Sequence, residues 1–259
     1  MELEGKIALV TGAGSGIGAA AALRLAREGA TMMLVSRTES ELAEVRDAIE
    51  EAGGTAGFRA LDTADDHAMQ SLFATIGEQY GRLDIAFANA GVNGVWAPID
   101  RLTPEEWDET IRINLRGTFL TLHHAVPLMK ESGGAILITA SINGTRTFTT
   151  AGASAYATTK AGQLALGQMA ALELARYRIR VNVICPGAIG TEISDNTDKR
   201  DTEDAKVPAQ YPDGTVPLTR GKPGTAEQVA DLVAFLASDR ASHISGTPVW
   251  IDGAQSLLV

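Results

Sequence analysis

A tyrosine and a lysine four residues apart, Tyr156 and Lys160, stand in the stretch Ser154-Ala155-Tyr156-Ala157-Thr158-Thr159-Lys160. On a helix, that spacing puts the phenol and the ammonium on one face. An unperturbed phenol titrates near ~10 and exchanges protons poorly at neutral pH, so it needs roughly two to three pKa units of help. A lysine cation some ~4 Å away in a half-buried cleft favours the phenolate by about 4 kcal/mol at an effective dielectric near ~20. The same spacing also describes an ordinary helix-surface pair. The rest of the chain decides between the two.

The elements that must position this pair begin at the N-terminus. Lys6-Ile-Ala-Leu-Val10 is a short apolar run, followed by Thr11-Gly12-Ala13-Gly14-Ser15-Gly16-Ile17-Gly18 and then by the alanine-rich stretch Ala19 to Glu28. Strand, glycine turn, helix is the order that lets a backbone approach a pyrophosphate, which then rests on the unpaired N–H groups and positive dipole end of the helix. Further strand candidates fall at 30–35, 56–61, 83–88, 134–140, 179–184 and 247–251, giving seven with 6–10, and helical patterns fill most of the spaces between. Capping chemistry marks helix starts at Thr38-Glu-Ser-Glu41, Thr103-Pro-Glu-Glu106 and Thr225-Ala-Glu-Gln228. The alternation predicts an α/β fold, a single Rossmann-like domain over residues 1–259 with a doubly wound parallel sheet of about seven strands and helices on both faces.

In such sheets ligands bind beyond the carboxyl ends of the strands. That rule selects Gly12 to Gly18, Ser36 and Arg37, Asp62 and Thr63, Asn89-Ala90-Gly91, Ser141, and Pro186-Gly187. Taken in order, T-G-x-x-x-G-I-G at 11–18, N-A-G at 89–91, Asn114, Ser141, Y-x-x-x-K at 156–160 and P-G-x-x-x-T at 186–191 resemble the classical short-chain dehydrogenase/reductase family over essentially the whole chain.

The resemblance implies an NAD(P)-dependent oxidoreductase that interconverts a ketone or aldehyde and an alcohol by hydride transfer. It makes Tyr156 the general acid for reduction and general base for oxidation, and has Lys160 lower its pKa and bond the nicotinamide ribose. Ser141 would hold the substrate oxygen as charge grows there. Asn114, among apolar neighbours in Ile111-Arg-Ile-Asn-Leu115, would hold a relay water, with a purely structural amide contact as the rival. The cofactor contacts implied are Gly12, Ser15, Gly16, Ile17, Gly18, Ser36, Arg37, Asp62, Thr63, Asn89, Ala90, Gly91, Tyr156, Lys160, Pro186, Gly187, Ile189 and Thr191, with Asp62 accepting from the adenine amino group. Ser141 and Tyr156 are 15 positions apart, slightly more than the commonest spacing in the family, so Gly144 to Ala153 is expected to carry a small insertion beside the substrate pocket.

Cofactor choice rests on Leu34-Val35-Ser36-Arg37-Thr38. An NAD site usually places an acid there for the ribose 2′-hydroxyl. Ser36 holds the position instead, and the Arg37 guanidinium suits a 2′-phosphate, so NADP(H) is favoured over NAD(H). Against this, Ala13 and Ser15 are not basic, and Glu39 could swing in as an alternative acid.

Composition removes other classes. A net charge of −10 argues against nucleic acid and anionic membrane as partners. No apolar run reaches membrane-spanning length, and with no signal peptide visible the expected location is cytoplasmic. The single cysteine, Cys185, lies in an apolar run and is expected to be buried rather than reactive. His67, His123, His124 and His243 show no ligand spacing, so no metal site is expected. Glu192 to Asp213 is polar and irregular, and a substrate lid is expected around 191–217. Trp96, Ile142, Phe148 and Tyr211 are candidate walls of the pocket for a small carbonyl or alcohol substrate. By the same resemblance the chain assembles as a homotetramer through the long helices at Leu102 to Met129 and Ala153 to Tyr177. A protein that has this fold yet acts as a catalytically silent sensor or interaction partner is the alternative.

Overall fold

The computed structural model describes residues 1–191, 197–207 and 216–258. Nine strands occur among them: β1 (Ile7–Thr11), β2 (Thr31–Ser36), β3 (Thr55–Ala60), β4 (Ile85–Ala88), β5 (Val95–Trp96), β6 (Gly134–Thr139), β7 (Ile179–Pro186), β8 (Asp198–Lys199) and β9 (Pro248–Ile251). Seven form one sheet in the order β3-β2-β1-β4-β6-β7-β9, and every neighbouring pair is parallel. These are the seven expected from the apolar runs, with ends displaced by up to two residues. β5 and β8 pair with each other in a separate ribbon two residues wide, too short to leave a periodic signal.

The helices are α1 (Gly16–Arg27), α2 (Glu39–Glu51), α3 (Asp66–Tyr80), α4 (Pro104–Ile111), α5 (Gly117–Met129), α6 (Ser154–Leu174) and α7 (Ala226–Ala237). Because successive strand residues face opposite ways, β1 sends Ala8 and Val10 into one core with α1, α2 and α7, and Ile7 and Leu9 into another with α3, α5 and α6. Both faces are covered, which is why the strands read as continuous apolar runs rather than alternating ones. The chain winds outward from β1 to β3, then returns to place β4 on the other side of β1. The crevice above the β1–β4 boundary is the switch point where such sheets bind ligands.

Local chemistry explains the helix starts. Thr103 accepts from the Glu106 amide at 3.3 Å while Glu106 accepts from the Thr103 amide at 2.9 Å, and Pro104 sits at the first helical position. Thr225 and Gln228 close a second capping box in the same way. The box expected at Thr38 does not form: the Ser36 hydroxyl takes the Thr38 amide at 3.3 Å, and the Thr38 side chain accepts nothing from α2. A short polar side chain has competed successfully with the helix end.

The helix expected from 102 to 129 is also interrupted, by a π-helical turn at Arg112–Arg116 between α4 and α5. Neither proline nor glycine begins the turn. Its cause is tertiary, since Asn114 at its centre is drawn to the loop after β4 and Gly117 at its end lies against Thr63, where a Cβ would come within 2.9 Å of the Thr63 hydroxyl. No helix among the described residues is long and apolar enough to cross a membrane.

Replacing Thr103 by alanine should cost about 1 kcal/mol of unfolding free energy, the usual worth of a helix cap. Thr38→Ala should cost less than about half of that because its side chain caps nothing. Urea denaturation of the two variants distinguishes them, and equal losses would contradict the geometry at Thr38.

Candidate active site

The glycine turn is shaped by contacts that no side chain could survive. Gly12 and Gly16 adopt positive φ of 66° and 51°. A Cβ on Gly18 would stand 1.9 Å from the Gly12 carbonyl oxygen, and one on Gly12 would stand 2.9 Å from Ala90 Cα. The turn delivers the chain to Ser15, whose extended backbone precedes α1 and whose side chain makes no capping bond. The result is a concave backbone surface ending in helix N–H groups, which suits a pyrophosphate by shape and by dipole. Ile17 behind it packs into the first core.

β4 ends beside this turn, and the Thr11 hydroxyl joins the two. It accepts from the Asn89 and Ala90 amides at 3.0 and 3.1 Å. The Asn89 side-chain amide donates to the Thr11 carbonyl at 3.2 Å, and its oxygen accepts from the Thr139 hydroxyl at 2.9 Å. Gly91 follows, where a Cβ would come within 3.2 Å of Asn114 Oδ1 and 3.6 Å of Lys160 Nζ. The three residues of the N-A-G motif therefore lie between the glycine turn and the Tyr156–Lys160 helix.

α6 carries Tyr156 and Lys160 on its inner face, as the spacing predicts. The Tyr156 hydroxyl is hydrogen-bonded to Ser141 at the end of β6, and the Ser141 oxygen also accepts from the Asn143 amide at 3.1 Å. Lys160 is almost wholly buried and donates to the Thr139 carbonyl at 2.9 Å. Its ammonium lies over the face of the Tyr156 ring, 5.4 Å from the centroid, rather than beside the hydroxyl. Sequence reasoning expected the lysine to pull the phenol down. Here burial pushes the phenol above its ordinary value, offset in part by the Ser141 bond, and lowers the Lys160 ammonium to about 8. Desolvation outweighs mutual attraction because Nζ is turned toward a carbonyl.

Asn114 is fully buried in the π-helical turn and bonds like a piece of backbone. Its oxygen accepts from the Val92 amide at 2.8 Å, and its nitrogen donates to the Val92 carbonyl at 2.8 Å and to Thr159 Oγ1 at 3.1 Å. The side chain is thus committed to structure. Its main-chain carbonyl, freed from regular helix bonding, accepts from Thr118 Oγ1 at 2.7 Å and from Gln163 Nε2 at 2.9 Å. Gln163 was not singled out from sequence, although it sits three residues beyond Lys160 on the same inner face.

The remaining candidates border the same crevice. Ser36 closes β2, with its hydroxyl 3.1 Å from where a Gly14 Cβ would lie, and Arg37 follows exposed. Asp62 is engaged by a partner that sequence did not supply: Arg112 Nη1 donates to it at 2.7 Å, and the Ala64 amide donates at 2.9 Å. Partial burial pushes this carboxyl up, but those two donors outweigh it and hold it below the usual range, with the Arg37 charge adding to them. Thr63 is buried against Gly117. Beyond β7, the Pro186 carbonyl accepts from the Ile142 amide at 2.9 Å, and Gly187 lies against Asp252 and Gln255 too closely for a side chain. Ile189 packs on the first core, and the Thr191 methyl would touch a Cβ on Gly16 at 3.2 Å, which brings the P-G-x-x-x-T segment over the glycine turn.

Of the expected pocket walls, Trp96 stands beside Tyr156 with ring centroids 6.4 Å apart. Ile142 is buried, Phe148 is exposed on the surface, and Tyr211 lies outside the described residues. The segment after Ser141 folds tightly, with the amides of Arg146 and Thr147 both donating to the Ile142 carbonyl and Arg146 stacked 3.5 Å from the centroid of Trp250. Cys185 is buried beneath it, and burial pushes its thiol up to about 11.

Lys160 makes the energetic cost of the site measurable. Its ammonium titrates near 10.5 ordinarily and at about 8 here, so between those values the unfolded chain binds the extra proton and folded stability rises with pH. Below that window the full cost of burying the charge is present. Relative to Lys160→Met, the wild-type protein should gain on the order of 2–3 kcal/mol in urea unfolding between pH 7.5 and 10.5. A difference that does not change with pH would refute the lowered pKa.

The geometry has parallels in proteins of known name. A family model described as enoyl-(acyl carrier protein) reductase matches residues 12–254. A 3beta-hydroxysteroid dehydrogenase of Mediterraneibacter gnavus is 38% identical, with 96% of this chain and 94% of that one covered. Levodione reductase of Leifsonia aquatica is also 38% identical, over 97% and 94%. Among solved structures, a 3-ketoacyl-ACP reductase from Sinorhizobium meliloti 1021 is 56% identical, with a TM-score of 0.94 over 98% of this chain and 100% of that one. With crevice, motifs and relatives in agreement, the chain belongs to the short-chain dehydrogenase/reductase family, whose members bind NAD(P)(H), and is an oxidoreductase acting on CH–OH donors.

Proposed function

We propose that the chain interconverts a ketone or aldehyde with its alcohol, with Tyr156 passing the proton and NADP(H) as the preferred cofactor. The observation that carries this reading is the placement of a Ser141-bonded Tyr156 hydroxyl on the same helix as a buried Lys160 whose ammonium lies over the phenol ring, with only β4 between β6 and the strand that leads into the glycine turn. When bound, the cofactor supplies or receives the hydride at its nicotinamide.

The residues of the chain do the rest. Gly12, Ser15, Gly16, Ile17 and Gly18 form the phosphate cradle, and Asn89, Ala90, Gly91, Asp62 and Thr63 line the adenosine side. Pro186, Gly187, Ile189 and Thr191 close the nicotinamide side. Ser141 donates to the substrate oxygen and keeps the Tyr156 hydroxyl aimed at the same atom. Tyr156 gives that oxygen a proton during reduction and takes it back during oxidation. Lys160 holds the ribose, and as its ammonium leaves the Thr139 carbonyl for the ribose it draws the phenol downward. Asn114 acts through structure, holding the Val92 backbone and presenting its own carbonyl beside α6.

Arg37 and Ser36 at the end of β2 support the NADP(H) preference, because an exposed guanidinium and a hydroxyl fit a 2′-phosphate. A substrate lid around 191–217 is supported by the strap at 198–205. It pairs with Trp96 through β5 and β8, and Arg200 grips Glu106 at 2.7 and 2.8 Å. That guanidinium holds the Glu106 carboxyl down to about 2. Homotetramer formation is supported by the exposed apolar side chains Phe119, Met169 and Leu172 on α5 and α6. The names of the relatives suggest keto steroids, cyclic diketones and 3-ketoacyl thioesters as the first carbonyl substrates to try.

Tyr156→Phe should keep cofactor binding while turnover on any accepted carbonyl falls by roughly 10²- to 10⁴-fold, the usual worth of a positioned acid. Substantial residual activity would sink the proton-transfer role. Arg37→Ala should weaken NADPH binding about tenfold or more and leave NADH within about twofold, as expected of a phosphate-specific contact. Equal weakening would show that Arg37 does not read the phosphate.

A further inference from the structure

Within the glycine turn, Gly14 is there for a different reason from its neighbours. Gly12 and Gly16 require left-handed backbone and Gly18 is pressed against a carbonyl, whereas Gly14 has no positive φ. What Gly14 provides is room. A Cβ there would lie 2.6 Å from Glu41 Oε2, 2.9 Å from Glu41 Cβ and 3.1 Å from Ser36 Oγ. The Glu41 side chain thus packs against Gly14 from the first turn of α2, and the Ser36 hydroxyl at the end of β2 borders the same glycine. Glu39, the acid that sequence offered as an alternative, stands exposed at the first position of the helix instead.

Two residues of opposite charge therefore belong to the corner where β2 meets the glycine turn. Arg37 follows Ser36 directly, and Glu41 and the Ser36 hydroxyl both lie against Gly14. The two carboxylates on which the Arg37 charge acts, Asp62 and Glu109, are both already bonded to Arg112. A carboxylate at the end of β2 accepts from a ribose 2′-hydroxyl and repels a 2′-phosphate, while a guanidinium does the reverse.

We propose that Glu41 is a specificity-determining residue that holds back the NADP(H) preference set by Arg37, by accepting from the 2′-hydroxyl of NAD(H) and opposing the 2′-phosphate of NADP(H). The proposal rests on the dinucleotide-binding reading of the glycine turn. It makes the protein tolerant of both cofactors, with selectivity set by the balance of one cation and one anion on the same rim.

Fluorescence titration of NADPH and NADH against the wild-type protein, Glu41→Gln and Glu41→Ala reads this balance without any turnover. Removing one like charge next to a phosphate should tighten NADPH about tenfold, and NADH should stay level or weaken. The gain should shrink at high ionic strength, since the rim is solvent-facing. NADPH affinity within about twofold of wild type in both variants, or equal shifts for both cofactors, would overturn the role of Glu41. Wild-type protein that binds neither dinucleotide would overturn the underlying reading as well, which separates the two failures.

Discussion

One hydrogen-bonded line crosses the middle of the sheet, and the site depends on it. The Thr11 carbonyl at the end of β1 accepts from the Asn89 amide, the Asn89 oxygen accepts from the Thr139 hydroxyl, and the Thr139 carbonyl accepts from Lys160. The line passes from β1 to β4 to β6 and on to α6, in the order those elements stand side by side. Buried polar groups must be paired, so each side chain in the line is fixed by its neighbour rather than by choice of rotamer alone. The glycine turn ends at Gly18 and the pair begins at Tyr156, 138 positions later, yet this line fixes their separation. Small residues at Gly12 and Gly91 then let the backbones close in around it.

The same burial that fixes the pair also opposes its chemistry. A phenol and an ammonium withdrawn from water both move toward neutrality, and here the first is pushed up and the second down to about 8. Attraction between them is weak while Nζ is turned to the Thr139 carbonyl. The site thus holds both titratable groups away from their ordinary values, as functional sites often do. Asn114 shows the complementary economy: its side chain replaces a backbone segment for Val92, and the π-helical turn that permits this frees a carbonyl that Gln163 and Thr118 then satisfy.

Much of this was legible in the chain. The seven long strands, the glycine turn, the N-A-G corner and the shared face of Tyr156 and Lys160 all follow from short-range rules of apolar runs, turn residues and helical period. What was not legible depends on contacts between distant segments. Thr38 has every mark of a helix cap, but Ser36 takes its amide. Asp62 could be placed after β3 but not paired with Arg112, fifty residues on. The π-helical turn at Arg112–Arg116 has ordinary helical sequence and is imposed by Val92 and Thr63. Lys160 could be placed beside Tyr156, but not turned toward Thr139.

The mouth of the crevice is governed by a third kind of force. Charges in the run Asp198 to Asp204 look like a solvated loop, and in the described residues they are spent on specific partners: Arg200 on Glu106, and Asp201 and Asp204 on Arg101 at 3.1 and 2.7 Å. The Arg101 pairs are exposed and weak alone, whereas Arg200 meets Glu106 with two bonds in a part-buried setting. Glu106 also completes the cap of α4, so the strap is fastened to the element that runs straight into the π-helical turn holding Asn114. Lys199 adds a contact over Trp96, 5.3 Å from its centroid, and Trp96 in turn faces Tyr156. Among the described residues of the strap, the ion pairs and the two-residue ribbon do not reach the buried line beneath. The line below and the strap above are therefore built from different interactions: buried hydrogen bonds in the first and ion pairs nearer the surface in the second.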